Sequence, residues 1–312
     1  MPPVFIIHAG MHKTGTTAIQ HHLYHQTPKG VHYLPWRDPN HSDLGVVLFD
    51  EAPETYWVFR REGRSAEDMQ KWRGETMGQL EGSFGYNRGK THVMSAEWLS
   101  VAPIDAILRL KEFFARHADA FKVIIYVRPA EAYMASMAQQ YIRTGTSELK
   151  LIWPAYRAAV EKFDIVFGRE AVDLRVYRPE GTPQWDAVTD FCRATGLPCP
   201  KAAPSRENVG MGARHLALLL ERRIAIGHAP RTPAETKADH DFLRQILKTP
   251  SPPFALHPDF VQQEIAKHQD DLRWIKDRLG GISMSRPQPL ADDCILFGST
   301  EDALAYARQM RG

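Results

Sequence analysis

The chain has 312 residues, 43% of them hydrophobic, which is enough for one α/β domain with a sizeable core. Its formal net charge of +2 argues against a protein that binds nucleic acid through a strongly basic surface. Three cysteines without metal or redox spacing argue against a disulfide framework. The first apolar run begins at Val4, which leaves no room for a signal peptide, and no run reaches membrane length. We therefore expect a cytoplasmic protein with no nucleic-acid partner and no stable membrane insertion.

The chain opens with a predicted strand, a glycine-containing loop and a helix. Residues 4–9 form an apolar run typical of a short buried strand, and residues 16–26 have a helical pattern. The loop between them, residues 10–17, is called the glycine loop below. Its position would aim backbone N–H groups and the positive end of the helix at an anion. We therefore predict that the glycine loop binds a phosphate-like group.

The glycine loop is close to a Walker A loop but lacks the lysine at its usual position. Gly10 and Gly15 keep the G-x-x-x-x-G spacing, and Thr17 stands where a Ser or Thr is required. Thr16 replaces the lysine that should follow the second glycine, and Lys13 lies two residues before that glycine instead. The displaced lysine indicates a phosphate held differently from the ATP of a kinase.

The run Lys13–Thr17 resembles the 5′-phosphosulfate loop, K-x-G-T-T, of sulfotransferases that use 3′-phosphoadenosine 5′-phosphosulfate (PAPS). The resemblance implies a bacterial member of that family, with PAPS as cosubstrate and 3′,5′-bisphosphoadenosine (PAP) as product. It also implies that Lys13 stabilises charge on the bridging oxygen during transfer. The implied donor-binding residues of the glycine loop are His12, Lys13, Thr14, Gly15, Thr16 and Thr17.

Residues 30–62 are rich in proline, histidine, aspartate and aromatic residues, and we predict an irregular loop there. Aromatic and arginine side chains gather in this stretch, at Trp36, Tyr56, Trp57, Phe59, Arg60, Arg61 and Arg64. They suit an acceptor pocket, since sugar faces stack on aromatic rings, and they equally suit a cap on the hydrophobic core. The sequence leaves this choice open, together with the role of residues 30–90.

The next predicted strand, residues 91–97, carries two candidates for a general base. A Lys-Thr-His run ending at His92 resembles the motif that carries the base in cytosolic sulfotransferases, and a Ser-Ala-Glu run ending at Glu97 resembles Golgi and bacterial members that use Glu. At ~3.3 Å per residue, Glu97 lies about 16 Å nearer the carboxyl end of the strand. We therefore expect Glu97 to be the base and His92 to be structural. An ordinary glutamate has a pKa of ~4.3, so burial would need to raise the pKa of Glu97 for it to help deprotonate an alcohol. His12 is a third candidate.

Residues 122–128 form another apolar run, typical of a strand buried on both faces. Arg128 ends it, and a helix is predicted over residues 129–144, with Ser136 eight residues after the arginine. This spacing resembles the 3′-phosphate site of the same sulfotransferases. The resemblance implies that the Arg128 fork and the Ser136 hydroxyl bind the phosphate that distinguishes PAPS from ATP.

A further strand is predicted over residues 172–178, with a helix over 184–195. Here the resemblance implies that Tyr177 lies near the adenine. The later segment 205–210 resembles the loop that closes over the nucleotide, with an imperfect Lys/Arg-Gly pattern. The ligand-binding residues implied in that segment are Arg206 and Asn208.

The alternation of strands and helices predicts a three-layer α/β fold, with a central, mostly parallel, P-loop-like sheet and helices on both faces. Gly10, Glu97 and Arg128 each come at the carboxyl end of a predicted strand. In open parallel sheets these ends share one edge, where ligands bind. We therefore expect the three residues to meet in one site.

We expect one domain over residues 1–312, with a PAPS-binding core over about 1–228 and a helical, proline-rich C-terminal extension over about 229–312. The role of the extension and the oligomeric state do not follow from the sequence. Further helices are predicted at residues 103–118, 150–169, 211–227, 235–247, 258–279 and 300–311.

The implied function is transfer of a sulfuryl group from PAPS to a hydroxyl or amine of a carbohydrate or another hydroxylated metabolite. This group carries less negative charge than a γ-phosphoryl group, so no metal is required. The alternative is a P-loop kinase or NTPase with a degenerate Walker A loop, which would use Mg-ATP and needs an acidic Walker B strand. Asp164 precedes its apolar run instead of following it, so it supports that alternative weakly. A catalytically silent nucleotide-binding protein is a third interpretation.

Overall fold

The computed structural model describes residues 4–178, 184–199, 210–227, 232–287 and 290–310. The chain divides into two compact units. The first comprises Met1–Arg128 and Ala155–Ser205, and the second comprises Pro129–Pro154 and Arg206–Gly312. The single domain expected from the sequence stays a prediction.

A five-stranded parallel sheet forms the centre of the first unit. Its strands are β1 (Val4–His8), β2 (Val31–Tyr33), β3 (Thr91–Ser95), β4 (Ala120–Val127) and β5 (Val172–Val176). They lie in the order β2-β3-β1-β4-β5, and every neighbouring pair is parallel. Because β1 is central and nearly all of it is buried, its sequence is a continuous apolar run without alternation.

The described residues form α-helices between the strands along the chain and after the last of them. In chain order they are α1 (Thr16–His25), α2 (Ser42–Phe49), α3 (Trp57–Arg61), α4 (Ala66–Tyr86), α5 (Ile104–Phe114), α6 (Ala130–Thr144), α7 (Tyr156–Phe167), α8 (Ala187–Thr195), α9 (Ala213–Ile226), α10 (Pro233–Ile246), α11 (Pro258–Lys267), α12 (Gln269–Arg278) and α13 (Thr300–Gln309). Helices α6 and α9 to α13 belong to the second unit, and the others belong to the first.

The sheet of the first unit has helices on both faces. Ile6 of β1 clusters with Ile19 of α1 and Phe191 of α8. Phe5, whose side chain points to the opposite face, stacks on Phe114 of α5 with ring centroids 4.1 Å apart. Successive strand residues face opposite sides, so these two contacts place one layer of helices on each face. The α/β fold class predicted from the sequence is confirmed.

The prediction of an irregular loop over residues 30–62 was wrong, because this stretch contains β2, α2 and α3. All residues of α2 except Asp43 are buried. A helix buried all round shows no 3.6-residue hydrophobic period, so its sequence does not mark it as a helix. Helix α4 also had no predicted counterpart; its glycines, which lower helix propensity, are Gly74, Gly78, Gly82 and Gly85.

The second unit is mainly helical and carries a small parallel sheet, β6 (Phe254–Leu256) with β7 (Ile295–Phe297). The single helix predicted over residues 258–279 is two helices, α11 and α12. They are separated at His268, whose backbone is not helical. Nowhere in the parts of the chain that the structure describes is a helix both long and apolar enough to cross a membrane.

A buried ion pair joins three helices of the second unit. Arg223 of α9 is 1% exposed, and its guanidinium donates to Asp239 of α10 across 2.5 and 2.6 Å. The same guanidinium donates to the backbone oxygens of Ile142 and Arg143 at the end of α6, across 3.0 and 2.8 Å. Carbonyl groups in the last turn of a helix lack the regular intrahelical donor. The oxygen of Ile142 also accepts from the N–H of Gly145 across 3.3 Å, and the arginine donates to both carbonyl groups while it crosslinks the helices.

Candidate active site

Three segments meet at the carboxyl edge of the five-stranded sheet. His8, the last residue of β1, pairs with Ser95 of β3 on one side and with Ile124 of β4 on the other. Glu97 lies two residues beyond Ser95, and Arg128 directly follows β4. The register therefore brings the glycine loop, Glu97 and Arg128 to one edge, as expected for parallel strands.

The backbone of the glycine loop depends on both of its glycines. Gly15 is the N-cap of α1 and has φ +78°, a left-handed conformation that side chains disfavour. A Cβ atom at Gly15 would lie 2.8 Å from the ring of Tyr177, and one at Gly10 would overlap the side chain of Thr16. No side chain among the described residues caps α1, and the N–H of Ala18 in its first turn bonds to the oxygen of Gly15. Uncapped N–H groups at the start of a helix suit an anion, and anion binding here stays a prediction.

Lys13 and Thr14 fix the shape of the glycine loop. Lys13 has φ +65°, which is uncommon for a residue other than glycine and is concentrated at functional sites. Thr14 is fully buried, and its hydroxyl donates to the backbone oxygen of Met11 across 2.6 Å. The hydroxyl of Thr14 is thereby engaged within the loop, whereas the side chain of Thr17 is exposed on the first turn of α1.

Arg128 is a half-buried cation beside the glycine loop. Its Nη1 donates to the backbone oxygen of Lys13 across 3.1 Å. Burial lowers the pKa of this guanidinium; Tyr177 acts in the opposite direction, and Arg178 adds to the lowering. Within the described ranges, no acidic side chain forms an ion pair with Arg128. An arginine fork without a carboxylate partner keeps donors available for an external anion.

Tyr177 forms an aromatic surface beside the glycine loop. Its backbone N–H donates to the oxygen of Val127 across 2.7 Å, which fixes it at the end of β4. The guanidinium carbons of Arg128 and Arg178 lie 5.7 and 5.6 Å from its ring centroid. Trp185 meets the ring edge-on at 4.9 Å. A flat ring flanked by cations suits a purine, and its place near the adenine stays a prediction.

Glu97 lies just beyond β3, because that strand ends at Ser95 rather than at Glu97. Its Oε2 is 2.9 Å from Nδ1 of His12, and its Oε1 accepts a hydrogen bond from the hydroxyl of Thr16. Burial pushes the pKa of this carboxyl group up, but the hydrogen bonds from His12 and Thr16 outweigh burial, and the net pKa is lowered. The upward shift that a general base would need is not found, and Glu97 is held as a carboxylate.

Two buried histidines support the end of β3. The hydroxyl of Ser95 is 2.8 Å from Nδ1 of His8, and the backbone N–H of Ser95 donates to Nδ1 of His41 across 3.2 Å. Burial lowers the pKa of His8 to about 4, with Glu97 acting in the opposite direction, and burial lowers the pKa of His41 to about 3. Both rings are therefore neutral near pH 7, and they hold the strand that leads into Glu97.

His92 lies earlier in β3, opposite Phe5 in the register and 2% exposed. Its Nδ1 is 2.9 Å from Nδ1 of His32, whose Nε2 is 2.8 Å from the hydroxyl of Ser83. Burial lowers the pKa of His92 to about 4, with smaller contributions from neighbouring cations. The structure places His92 inside the sheet, apart from the carboxyl edge, and its structural role stays a prediction.

The aromatic residues expected either in an acceptor pocket or in a core cap differ in exposure. Phe59 is fully buried and belongs to the core, whereas Trp57 is 62% exposed. The pKa of Tyr56 is raised to about 12, first by burial and then by the charges of Asp43 and Glu97. The charge of Glu97 therefore reaches Tyr56, and whether these aromatic residues form an acceptor pocket stays a prediction.

Three expected donor-binding residues are not brought into the site by the described structure. Ser136 lies on α6, in the second unit, and its pairing with Arg128 stays a prediction. Arg206 and Asn208 lie outside the described residues. Among the residues described, no group of three or more His, Cys, Asp or Glu side chains could hold a metal ion.

Comparisons with known proteins add little. No family model matches the chain. An uncharacterized protein of Archaeoglobus fulgidus is 22% identical over 136 residues, which cover 42% of this chain and 37% of that relative, well under two thirds of its length. A sulfotransferase from Alicyclobacillus acidocaldarius, solved by crystallography, has a TM-score of 0.42 and 16% identity over 72% of this chain and 93% of its own. A likeness this weak carries no argument about the fold or the function.

Sequence reasoning missed two features of the site. It ranked His12 last among the candidate bases, whereas the structure joins His12 to Glu97, which lies 85 residues away along the chain. It also did not single out Tyr56 from its aromatic neighbours. No local pattern marks either feature, because both depend on how distant segments meet; only the position of His12 inside the glycine loop could have drawn attention to it.

Proposed function

We propose that the protein is a sulfotransferase that moves the sulfuryl group of PAPS to a hydroxyl or amine of a carbohydrate or another hydroxylated metabolite. The observation that carries the proposal is Arg128. This half-buried arginine has no acidic partner within the described residues, and it contacts the backbone of a glycine loop that lacks the Walker A lysine. A nucleotide with an additional phosphate, as PAPS has at its 3′ position, supplies the anion that such an arginine requires.

The glycine loop then holds the phosphosulfate end of the donor. Backbone N–H groups of Gly15, Thr16 and Thr17 at the start of α1 bind the 5′-phosphate and the sulfate oxygens. Lys13 neutralises the negative charge that grows on the bridging oxygen as the sulfur–oxygen bond breaks. The sulfuryl group carries less charge than a γ-phosphoryl group, so a lysine and a helix terminus suffice for this task.

The other end of the donor is assigned to the neighbouring strand ends. Arg128 binds the 3′-phosphate with its planar fork, and Tyr177 stacks against the adenine. The acceptor enters beside Tyr56, near the carboxylate of Glu97.

The test compares thermal stabilisation by PAP, by adenosine 5′-phosphate and by Mg-ATP. A ligand at a hundredfold excess over its Kd stabilises the fold by ~2.7 kcal/mol, which is readily measured. We expect PAP to stabilise the protein without added metal, and adenosine 5′-phosphate to do so much less at equal concentration. Stabilisation by Mg-ATP but not by PAP would replace the proposal with the kinase alternative.

Turnover is then measured with PAPS and a panel of sugars, phenols and small alcohols. We expect sulfated product and PAP in equal amounts with at least one acceptor class. Tight binding of PAP together with no transfer to any acceptor, and no release of PAP from PAPS in water, would contradict an enzyme. That result would favour the silent nucleotide-binding interpretation.

A further inference from the structure

We infer that His12 removes the proton of the acceptor, and that Glu97 positions His12 instead of acting as the base. The inference rests on the sulfotransferase function proposed above and assigns the proton transfer within it. It follows from the hydrogen bonds of Glu97, from the exposure of the two side chains and from the chemistry of a carboxylate beside an imidazole.

The hydrogen bonds of Glu97 fix the hydrogen on His12. An ionised carboxylate only accepts hydrogen bonds, so the 2.9 Å contact requires the hydrogen to be on Nδ1 of His12. The other oxygen of Glu97 accepts from Thr16. In a neutral imidazole with hydrogen on Nδ1, the lone pair is on Nε2, and no described residue donates to that atom.

Exposure separates the two groups in the same way. The side chain of His12 is 43% exposed and that of Glu97 is 21% exposed. An acceptor can therefore approach the imidazole, whereas both carboxylate oxygens are already engaged. The other histidines near the carboxyl edge, His8 and His41, are 0% exposed and cannot meet a substrate.

Basicity agrees with this geometry. The hydrogen bonds that lower the pKa of Glu97 make it a weaker base than an ordinary carboxylate, which is already a poor match for an alcohol. A carboxylate that accepts from the Nδ1–H of an imidazole instead orients the ring and stabilises the imidazolium that forms. Charged groups near His12 include Glu97 and Lys13, its neighbour in the glycine loop.

The transfer step balances with these assignments. Nε2 of His12 takes the proton of the acceptor hydroxyl as the acceptor oxygen bonds to the sulfur of PAPS. The bond between that sulfur and the bridging oxygen breaks, and PAP leaves with the electron pair, next to Lys13. The His12 imidazolium, paired with Glu97, then loses its proton to water.

The decisive experiment is a double-mutant cycle on kcat, using PAPS and the best acceptor of the panel, or water if PAP release is faster with water. His12→Asn keeps an N–H that can donate to Glu97 but removes the base, and we expect kcat to fall by ~10²–10⁴. Glu97→Gln should lower kcat by tenfold or more in the wild-type background, and by less than threefold in the His12→Asn background. If Glu97 were the base, its substitution would lower kcat by the same factor in both backgrounds.

Two further readouts distinguish a base from a structural role. Wild-type kcat/KM should rise with pH through the range in which imidazoles titrate, and His12→Asn should lack this rise. Added imidazole should restore part of the activity of His12→Ala. His21→Ala, which removes an exposed histidine from α1, serves as the matched control and should show wild-type kcat and no response to imidazole.

The outcomes separate this inference from the proposed function. If wild-type protein neither binds PAP nor releases it from PAPS, the proposed function fails. If the wild type transfers sulfate while His12→Asn, with PAP affinity unchanged, keeps wild-type kcat and pH dependence, the inference alone is overturned. An equal fold decrease in kcat for Glu97→Gln in the wild-type and His12→Asn backgrounds overturns it as well.

Discussion

The second unit contains a buried carboxylate, Asp239, and the first contains a half-buried one, Glu97, and the two are satisfied in different ways. Asp239 of the second unit faces Arg223, whose guanidinium also donates to two backbone carbonyl oxygens. Glu97 of the first unit has no lysine or arginine partner among the described residues, and it accepts hydrogen bonds from His12 and Thr16 instead.

The difference shows how a structural charge can be told from a chemically useful one. The side chains of Arg223 and Asp239 are 1% and 7% exposed, so this pair is closed to solvent. Asp239 also accepts from the half-buried Arg222 across 3.5 Å, and these interactions join α9 to α10. The partner of Glu97 is 43% exposed and has an unused ring nitrogen within the described structure. Burial with complete pairing therefore indicates a role in stability, and burial beside a reachable, proton-carrying partner indicates catalysis.

The largest expected effect comes from breaking the closed pair. Asp239→Asn leaves the Arg223 guanidinium buried without a counter-charge, which typically costs ~3–5 kcal/mol of unfolding free energy. Denaturant unfolding followed by circular dichroism measures the loss. Asp241→Asn, which removes an exposed partner of Lys237, is the matched control and should leave the midpoint close to wild type.

The closed pair also allows a rescue. Replacing both partners, as in Arg223→Met with Asp239→Leu, removes the two charges together and should restore much of the stability lost in Asp239→Asn. If Asp239→Asn unfolds at the wild-type midpoint, the ion pair does not hold the second unit together, and the contrast with Glu97 loses its basis.

The site in the first unit should respond through rate instead of stability. Lys13→Ala removes the charge that meets the developing negative charge on the leaving oxygen, and we expect kcat to fall by ~10²–10³. PAP affinity should fall much less, because this interaction strengthens in the transition state. Lys29→Ala, an exposed lysine after α1, is the control. Unchanged turnover in Lys13→Ala would remove this lysine from the mechanism.

Much of the first unit could be predicted from the sequence because its central strands are buried on both faces. Predicted strands at residues 4–9, 91–97, 122–128 and 172–178 match β1, β3, β4 and β5 to within two residues at each end. The rule that parallel strands end at one edge then brought Gly10, Glu97 and Arg128 together. Nothing comparable marks β2, which has three residues, or α2, which is buried all round.

The chemistry inside the site could not be predicted in the same way. Whether Glu97 acts as a base depends on its hydrogen-bond partners, and these come from the glycine loop, more than 80 residues earlier in the chain. Burial alone would raise the pKa of Glu97, as the sequence argument assumed. The sign is reversed by contacts with His12 and Thr16, which only the register of β1 against β3 creates.

Arg128, the cation of the site that has no acidic partner among the described residues, gives the next prediction. Arg128→Ala should remove most of the preference for PAP over adenosine 5′-phosphate, since a charge-assisted hydrogen bond contributes ~1.5–3 kcal/mol, or about ten- to a hundredfold in Kd. Isothermal titration calorimetry with both nucleotides measures it. Arg128→Lys keeps the charge without the fork and should retain part of the preference. A mutant that still discriminates fully would show that the 3′-phosphate site has been misplaced.

The smallest expected effect concerns the buried histidines of the first unit and the pH dependence of its stability. Burial lowers the pKa of His92 to about 4 from its ordinary 6.5. Between these values the unfolded chain binds a proton that the native state excludes, so stability is complete above the upper value and is lost as the pH falls towards 4. Each such histidine contributes a slope of up to ~1.4 kcal/mol per pH unit.

His92→Asn should reduce the slope of unfolding free energy between pH 6.5 and 4 by up to one proton, with PAP affinity unchanged. The lowered pKa of Glu97 changes the free energy of unfolding only below about pH 4.5, so its contribution is measured in a different pH range from that of His92. A slope that His92→Asn leaves intact would mean that His92 carries its proton in the native protein.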